Sequence, residues 1–148
     1  MPDKIHLTVA TVIEKDNRFL MVLETCNHRQ VINQPAGHVE PGEEILDAAL
    51  RETKEETGWN IELKGLLSIS TYFAPNNGVT YYRVSLVGTP LSYDADFPLD
   101  DDIDGIQWLS YEELLQSKDK LRSPLVMDCI EDYRAGRIYP LDIVRKAL

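Results

Sequence analysis

Cysteine is scarce in this sequence, which has only Cys26 and Cys129 among its 148 residues. Two cysteines so far apart are too few for a cysteine-rich zinc site or for the disulfide framework of a small secreted domain. The residues after Met1 also lack the apolar core and cleavage site of a secretory signal. We therefore expect a cytoplasmic protein of a reducing compartment, in which both cysteines are small buried residues.

Long apolar runs and an excess of positive charge are absent as well. No run approaches the roughly 18 apolar residues of a membrane span. The 15 Lys and Arg residues are outnumbered by 25 Asp and Glu, which gives a net charge of -10 at pH 7. Because nucleic acids and anionic membranes are bound through excess Lys and Arg, we expect neither as a partner. A small phosphate ester could still bind to an acidic protein if metal ions mediate the contact.

The apolar content, 43% of the residues, is sufficient for one core, so we predict a single domain over residues 1–148. We expect a monomer and leave a larger oligomer open. Strands that alternate with a central helix and two later helices predict an α+β fold. Strands are predicted over residues 5–13, 19–24, 31–33, 61–72, 80–87 and 106–109, with a hairpin between the first two and a polar loop at 25–29. Helices are predicted over 111–116, with Ser110 and Glu113 as a capping box, over 124–135, with Ser123 as the cap, and for a last turn or two within 141–147.

The most informative stretch covers residues 37–59, where a loop containing Gly37, Pro41 and Gly42 precedes a helix. Glu52, Glu55 and Glu56 follow one another at spacings of three and one, which places their carboxylates on one side of that helix. Like charges at this spacing repel. The arrangement therefore indicates a divalent cation among them, and a cluster of oxygen ligands without His or Cys favours Mg²⁺ or Mn²⁺.

This stretch resembles the Nudix box, in which a glycine, a glutamate and the run R-E-U-x-E-E-x-G-U stand at fixed distances. The matching residues are Gly37, Glu43, Arg51, Glu52, Glu55, Glu56 and Gly58. Thr53 and Trp59 depart mildly, since both stand where an aliphatic residue is usual. These two positions serve packing, so the departures concern the packing of the helix and not its chemistry.

The resemblance implies a mixed β-sheet packed between α-helices and hydrolysis of a phosphoanhydride bond with Mg²⁺, or alternatively Mn²⁺. It implies that Glu52, Glu55 and Glu56 are catalytic and hold the metal, with the carbonyl of Gly37 as a further ligand. One of the three glutamates would also take the proton from the attacking water. Glu43 and Arg51 would form a structural ion pair that joins the loop to the helix.

Residues outside the box complete the expected site. Many members of the family place a carboxylate on a loop near the metal, and Asp102 is our candidate for that ligand, with Asp101 and Asp104 as rivals. Arg83 and Arg122 are candidates for holding phosphate, and Tyr72, with Tyr81 and Tyr82 as neighbours, for stacking on a ring. His38 could also touch phosphate, although a histidine with a structural role is the more common case.

The similarity extends beyond the box to a bacterial phosphatase of the family. The matching segments are residues 33–38, 74–75, 102–104, 121–126 and 139–141. This similarity implies hydrolysis of nucleoside tri- and diphosphates, thiamine pyrophosphate and hydroxymethylpyrimidine pyrophosphate, with release of orthophosphate. The first alternative is another Nudix pyrophosphatase, acting on an oxidised nucleotide, a dinucleoside polyphosphate or a sugar nucleotide. A non-catalytic metabolite sensor is the second, and an isoprenoid diphosphate isomerase of the same fold ranks last.

Overall fold

The computed structural model describes residues 2–146, which form a mixed sheet of seven strands with three α-helices. This arrangement confirms the predicted α+β fold. The strands are β1 (Ile5–Lys15), β2 (Arg18–Cys26), β3 (Arg29–Asn33), β4 (Ala36–His38), β5 (Trp59–Ala74), β6 (Val79–Tyr93) and β7 (Ile103–Ser110). The helices are α1 (Ile45–Thr57), α2 (Tyr111–Gln116) and α3 (Leu125–Arg134). No helix within residues 2–146 is long and apolar enough to cross a membrane.

Strand β1 connects the two parts of the sheet. It pairs in parallel with β6 from Ile5↔Thr80 to Ile13↔Gly88, and β6 pairs antiparallel with the edge strand β5. The predicted hairpin of β1 and β2 is present, but its pairing is limited to Glu14↔Phe19 and Lys15↔Arg18. Because β4 occupies the other edge of β1 at Thr8–Ala10, β2 departs from β1 and pairs with β3 and β7 instead.

The connection between β2 and β3 differs from the polar loop predicted over residues 25–29. The strands continue to Cys26 and from Arg29, and only Asn27 and His28 form the turn, with φ of 53° and 63°. A two-residue turn with positive φ at both positions matches the twist of the flanking strands, and asparagine tolerates that conformation better than most residues. The prediction of a loop was therefore wrong, because the turn chemistry of Asn27 was not recognised.

Helix α1 packs its small residues on the sheet. Ala48 and Ala49 are fully buried and contact a core cluster that includes Val9 and Leu86. Thr53 is also fully buried, and its hydroxyl donates to the carbonyl of Ala49 at 2.8 Å, so the polar atom is satisfied inside the core. The small side chains allow the helix to lie close to β1, which is the strand that carries its neighbour β4.

Helix α3 covers the other face of the sheet, where Val126, Cys129 and Ile130 pack with residues of β1 and β2. It begins at Leu125, one residue later than predicted, with Pro124 at the N-cap; the Ser123 hydroxyl accepts from the Leu125 N–H at 3.3 Å. The predicted capping box of α2 is confirmed. Of the predicted C-terminal turns, Leu141–Ile143 is a 3-10 helix, whereas Ala147 lies outside the described residues.

Candidate functional site

A cleft of about 710 Å³ lies where β4, α1 and the loop before β7 meet β2, β3 and the β5–β6 hairpin. Six carboxylate side chains line it, from Glu24, Glu40, Glu52, Glu56, Asp100 and Asp102, and several cationic and aromatic side chains line the rest. The residues used below that line the cleft are Glu24, Gly37, His38, Glu52, Glu56, Tyr72, Tyr81, Arg83, Asp100, Asp102 and Arg122. The cleft therefore joins groups of opposite charge in one cavity.

Helix α1 supplies Glu52 and Glu55, and the loop before β7 adds Asp100. Carboxylate oxygens of these three residues lie within 4.8 Å of one another. The loop is held in place because the Asp100 N–H donates to the Glu55 carbonyl at 3.0 Å. We call these three residues, with Glu56 and Asp102, the acidic cluster. An all-oxygen cluster of this size fits a hard divalent cation, since Mg²⁺ and Mn²⁺ prefer carboxylate ligands.

Asp100 was not among the residues singled out from the sequence, which favoured Asp102 with Asp101 and Asp104 as rivals. Asp102 does line the cleft, and its charge acts on Glu56. Asp104 instead accepts hydrogen bonds from Thr25 at 2.7 Å and Gln30 at 3.2 Å, which hold its pKa below the usual range. The run of aspartates was a visible signal, but only the contact of the loop with α1 selects among its members.

Gly37 of β4 lies directly against the side chain of Glu52 on α1. Gly37 lies in the short strand β4 and not in the predicted loop, in register with Val9. A Cβ atom on Gly37 would lie 2.1 Å from the carboxyl carbon of Glu52, so only glycine leaves room for this side chain. Burial raises the pKa of the Glu52 carboxyl, the hydrogen bond from Arg51 opposes that rise, and repulsion from Glu55 and Asp100 adds to it.

Glu56 is the most deeply buried member of the acidic cluster, with 6% of its surface exposed. Its Oε1 atom accepts a hydrogen bond from the Ala36 N–H at 2.9 Å. Burial raises its pKa to about 9, and the charges of Glu24, Glu52 and Asp102 contribute to the rise. Without a cation, burial among other carboxylates therefore favours the protonated form of this carboxyl.

Arg51 supplies positive charge beside the acidic cluster. Its predicted ion pair with Glu43 is present. Its Nε and Nη2 atoms donate to the two carboxylate oxygens of Glu43 at 2.7 and 2.9 Å. This contact holds the pKa of Glu43 at about 2. Arg51 Nη1 also donates to Glu52 at 2.8 Å and lies 3.2 Å from Glu55. The repulsion inferred from the sequence is thus partly relieved within α1 itself.

Arg83 and Arg122, the candidates for holding phosphate, both line the cleft, and we call them the arginine pair. Arg83 projects from β6 and is 7% exposed; its Nη2 atom donates to Oε1 of Gln34 at 2.7 Å. Burial lowers the pKa of its guanidinium, and the Arg122 charge acts in the same direction. Arg122 is more exposed and forms an ion pair with Glu24 at 3.1 Å.

Two tyrosines line the cleft beside these charges. Tyr72 of β5 and Tyr81 of β6 face each other in the register of the sheet, and both line the cavity. Tyr82, the third candidate, alternates to the other face and is not among the residues of 2–146 that line it. His38 lines the rim, where its Nε2 atom lies 2.9 Å from Nδ1 of His6 in a hydrogen bond. Burial and the neighbouring His6 lower the pKa of His38.

Glu24 and Gln34 are residues of this region that the sequence did not reveal. Glu24 is buried on β2 and accepts from the Asn33 amide at 3.2 Å in addition to its pair with Arg122. Its only signal was a carboxylate at the end of an apolar strand. Gln34 lies in the matching segment 33–38, but the sequence gave it no role, because its partners Arg83 and Val126 are distant in the chain.

Comparison with known proteins agrees with this geometry. The NUDIX domain model matches residues 4–129. The chain is 39% identical to Phosphatase NudJ of Escherichia coli K12 over 142 residues, which cover 95% of this chain and 91% of that protein. The match to Phosphatase NudJ of Shigella flexneri has the same extent. A solved NUDIX hydrolase from Nitrosomonas europaea superposes with a TM-score of 0.94 at 43% identity, covering 97% of this chain and 98% of that one. The chain therefore belongs to the Nudix hydrolase family.

Proposed function

We propose that this Nudix hydrolase is a Mg²⁺-dependent phosphatase that releases orthophosphate from phosphoanhydrides. Its proposed substrates are nucleoside tri- and diphosphates, thiamine pyrophosphate and hydroxymethylpyrimidine pyrophosphate, and Mn²⁺ is an alternative cofactor. The observation that carries the proposal is the presence, in one cleft, of an acidic cluster that fits a divalent cation and a buried arginine that is free to meet an anion. The relatives named Phosphatase NudJ support the choice of reaction.

The metal ligands in this proposal are Glu52, Glu55, Glu56, Asp102 and the carbonyl of Gly37. The geometry adds Asp100 as a further candidate, because its carboxylate lies with those of Glu52 and Glu55. When bound, the cation supplies charge neutralisation at the phosphate oxygens and lowers the pKa of water. The role of the chain is to hold these oxygens in place through the Arg51 hydrogen bonds and the contact of Glu52 with Gly37.

The remaining groups of the cleft act on substrate and proton. Arg83 and Arg122 bind phosphate oxygens, and Tyr72 packs on the heteroaromatic ring, where a flat apolar surface is favourable. One of the three box glutamates accepts the proton of the attacking water at a carboxylate oxygen. The water oxygen bonds to the terminal phosphorus, the bridging P–O bond breaks, and the shortened substrate leaves with the bridging oxygen.

The setting of this activity is part of the same proposal. The enzyme acts as one domain over residues 1–148, as a monomer, in the cytoplasm. Neither nucleic acid nor membrane is a partner, because the net charge of -10 disfavours polyanionic surfaces. The small phosphorylated substrate reaches the acidic cluster because the cation offsets that charge.

A substrate panel tests the proposal. The purified protein is incubated with Mg²⁺, Mn²⁺ or EDTA and each candidate substrate, and orthophosphate and pyrophosphate are measured separately. We expect metal-dependent orthophosphate release from several terminally phosphorylated substrates. Release of a nucleoside monophosphate with pyrophosphate, or selective cleavage of a sugar nucleotide or a dinucleoside polyphosphate, contradicts it in favour of another Nudix pyrophosphatase. Tight binding of one compound without turnover contradicts it in favour of a sensor.

A further inference from the structure

The guanidinium of Arg83 is a buried charge without an acidic partner. Only 7% of its surface is exposed, and within residues 2–146 no carboxylate forms an ion pair with it. Its Nε atom has no hydrogen-bond partner there either. An arginine stays protonated even when buried, and a buried charge that lacks its pair is costly. Since Arg83 also lines the cleft, its unpaired charge acts on a ligand in that cavity.

Among the residues that the structure describes, Gln34 supplies the one hydrogen bond that orients this guanidinium. The side chain is 1% exposed, and its Nε2 atom donates to the backbone carbonyl of Val126 at 2.8 Å. That contact fixes the amide, because a flipped side chain would direct an oxygen at the carbonyl and an NH₂ group at the arginine. The Oε1 atom therefore points at Arg83 and accepts a hydrogen bond from its Nη2 atom at 2.7 Å.

The chemistry of a neutral acceptor differs from that of an acid at this position. A glutamate would offer a similar shape and would neutralise the guanidinium with a charge-assisted bond. The amide instead holds the arginine in one orientation and leaves its positive charge unbalanced. The neighbouring Arg122 is paired with Glu24 at 3.1 Å. Arg83 is therefore the cationic residue of this pair whose charge is left for an anion.

We infer that Gln34 is a positioning residue that keeps Arg83 oriented and uncompensated, so that the arginine forms the binding point for the terminal phosphate of the substrate. This inference rests on the proposed function and deepens it. A dianionic terminal phosphate pairs the charge of Arg83, which a bridging phosphate with fewer charged oxygens does less well. Gln34 thereby acts through Arg83 on the choice of substrate, without touching the reacting atoms.

The test exchanges the neutral amide for a carboxylate. Gln34→Glu is compared with Gln107→Glu, which makes the same chemical change and the same change of net charge on the exposed face of β7. Binding of orthophosphate alone is measured by its effect on the thermal midpoint in buffer with EDTA. KM and kcat are then measured for any phosphoanhydride that the wild-type protein hydrolyses.

We expect Gln34→Glu to weaken orthophosphate binding by at least about tenfold, because the charge that attracts the anion is neutralised in place. KM should rise by a similar factor, with kcat within about threefold, since the arginine acts on binding. Gln107→Glu should match the wild type in both assays. In a background that already carries Arg83→Gln, the change at Gln34 should add nothing further, as a double-mutant cycle requires of two residues that act as one unit.

Gln34→Met is a second variant that protects the test against a folding failure of the first. It removes both hydrogen bonds without adding charge, and we expect it to weaken orthophosphate binding about threefold to tenfold through lost orientation. Orthophosphate binding unchanged by either substitution at Gln34, or an effect that persists without Arg83, overturns the inference. Since the binding assay uses no substrate and no metal, it decides the inference even if the substrate panel shows no turnover.

Discussion

The acidic cluster and the arginine pair lie in the same cleft but are built in opposite ways. Three of the five acidic residues stand within five positions on α1, so their proximity follows from helix geometry alone. The arginine pair comes from β6 and from the segment before α3, and its partners are Glu24 of β2 and Gln34, the residue after β3. The part of the acidic cluster on α1 is therefore a local structure, whereas the arginine pair comes together only after the sheet has formed.

The electrostatics of the two groups mirror each other. Glu56 is buried among other carboxylates, which raises its pKa to about 9, and Arg83 is buried without a carboxylate. Each buried group is unfavourable by itself. A bound cation would relieve the carboxyl of Glu56, and a bound anion would relieve the guanidinium of Arg83. A metal-bound phosphoanhydride brings both charges together. The destabilised groups are thus those that the proposed reaction uses.

The largest effect that we expect concerns the acidic cluster. Glu56→Gln should reduce kcat for every substrate by about a thousandfold or more, the value of a lost proton acceptor and metal ligand. The Gln amide oxygen can still accept from the Ala36 N–H, so the fold should be preserved. Steady-state kinetics with saturating Mg²⁺ measure the loss. A variant with wild-type kcat would remove Glu56 from the mechanism.

Thermal unfolding without metal is the folding control for this variant. The folded-state pKa of Glu56, about 9, lies above its ordinary value of 4.5, so the folded protein keeps a proton that the unfolded chain releases. Stability of the wild type should therefore fall as pH rises from about 4.5 towards 9, by at least about 1.4 kcal/mol, the value of one pKa unit. Glu56→Gln lacks this fall and should be the more stable protein at pH 8.

A second prediction sharpens the boundary of the acidic cluster. Asp100→Asn should weaken the apparent affinity for Mg²⁺ by about 10- to 100-fold, because its carboxylate lies with those of Glu52 and Glu55. Asp104→Asn is the matched control, since Asp104 bonds to Thr25 and Gln30 instead. Titration of activity with Mg²⁺ compares these variants with Asp102→Asn. If only Asp102→Asn weakened the affinity for Mg²⁺, Asp102 and not Asp100 would be the metal ligand from this loop, as predicted from the sequence.

The same contrast explains how much of the protein could be predicted from its sequence. The common face of Glu52, Glu55 and Glu56 follows from their spacing within one helix, and the pair of Glu43 with Arg51 follows from the resemblance to the Nudix box. The fold class follows from the alternation of strands and helices. Asp100 could not be chosen over Asp102, because the choice depends on a backbone bond from the loop to Glu55. Gln34 could not be found, since its role requires β6 and α3 to be in place.

On the arginine pair we expect a smaller effect that changes KM and not kcat. Arg122→Gln should raise KM about tenfold or less, since the side chain is 44% exposed and water screens its charge. Arg137→Gln is the control, because Arg137 pairs with Asp132 on the exposed surface at 3.5 Å and does not border the cleft in the described chain. Equal KM values for both variants would exclude Arg122 from substrate binding.

The smallest effect concerns the ion pair that joins the box loop to α1. Glu43→Gln should cost about 1 kcal/mol of unfolding free energy at pH 7, the order of one charge-assisted hydrogen bond near the surface. The folded-state pKa of Glu43, about 2, lies below its ordinary value of 4.5. The pair therefore stabilises the fold above pH 4.5, and this contribution is lost as pH falls towards 2.

Denaturant unfolding at several pH values measures this difference, with Glu44→Gln as the control. Glu44 makes the same type of contact with Lys146, at 3.1 Å, but both side chains are more exposed, so its loss should cost only a few tenths of a kcal/mol. The gap between the two variants should narrow as pH falls below about 4.5 and close near pH 2, the folded-state pKa of Glu43. A gap that is independent of pH would mean that Glu43 acts through packing and not through its charge, because only the ionised form of its carboxyl depends on pH.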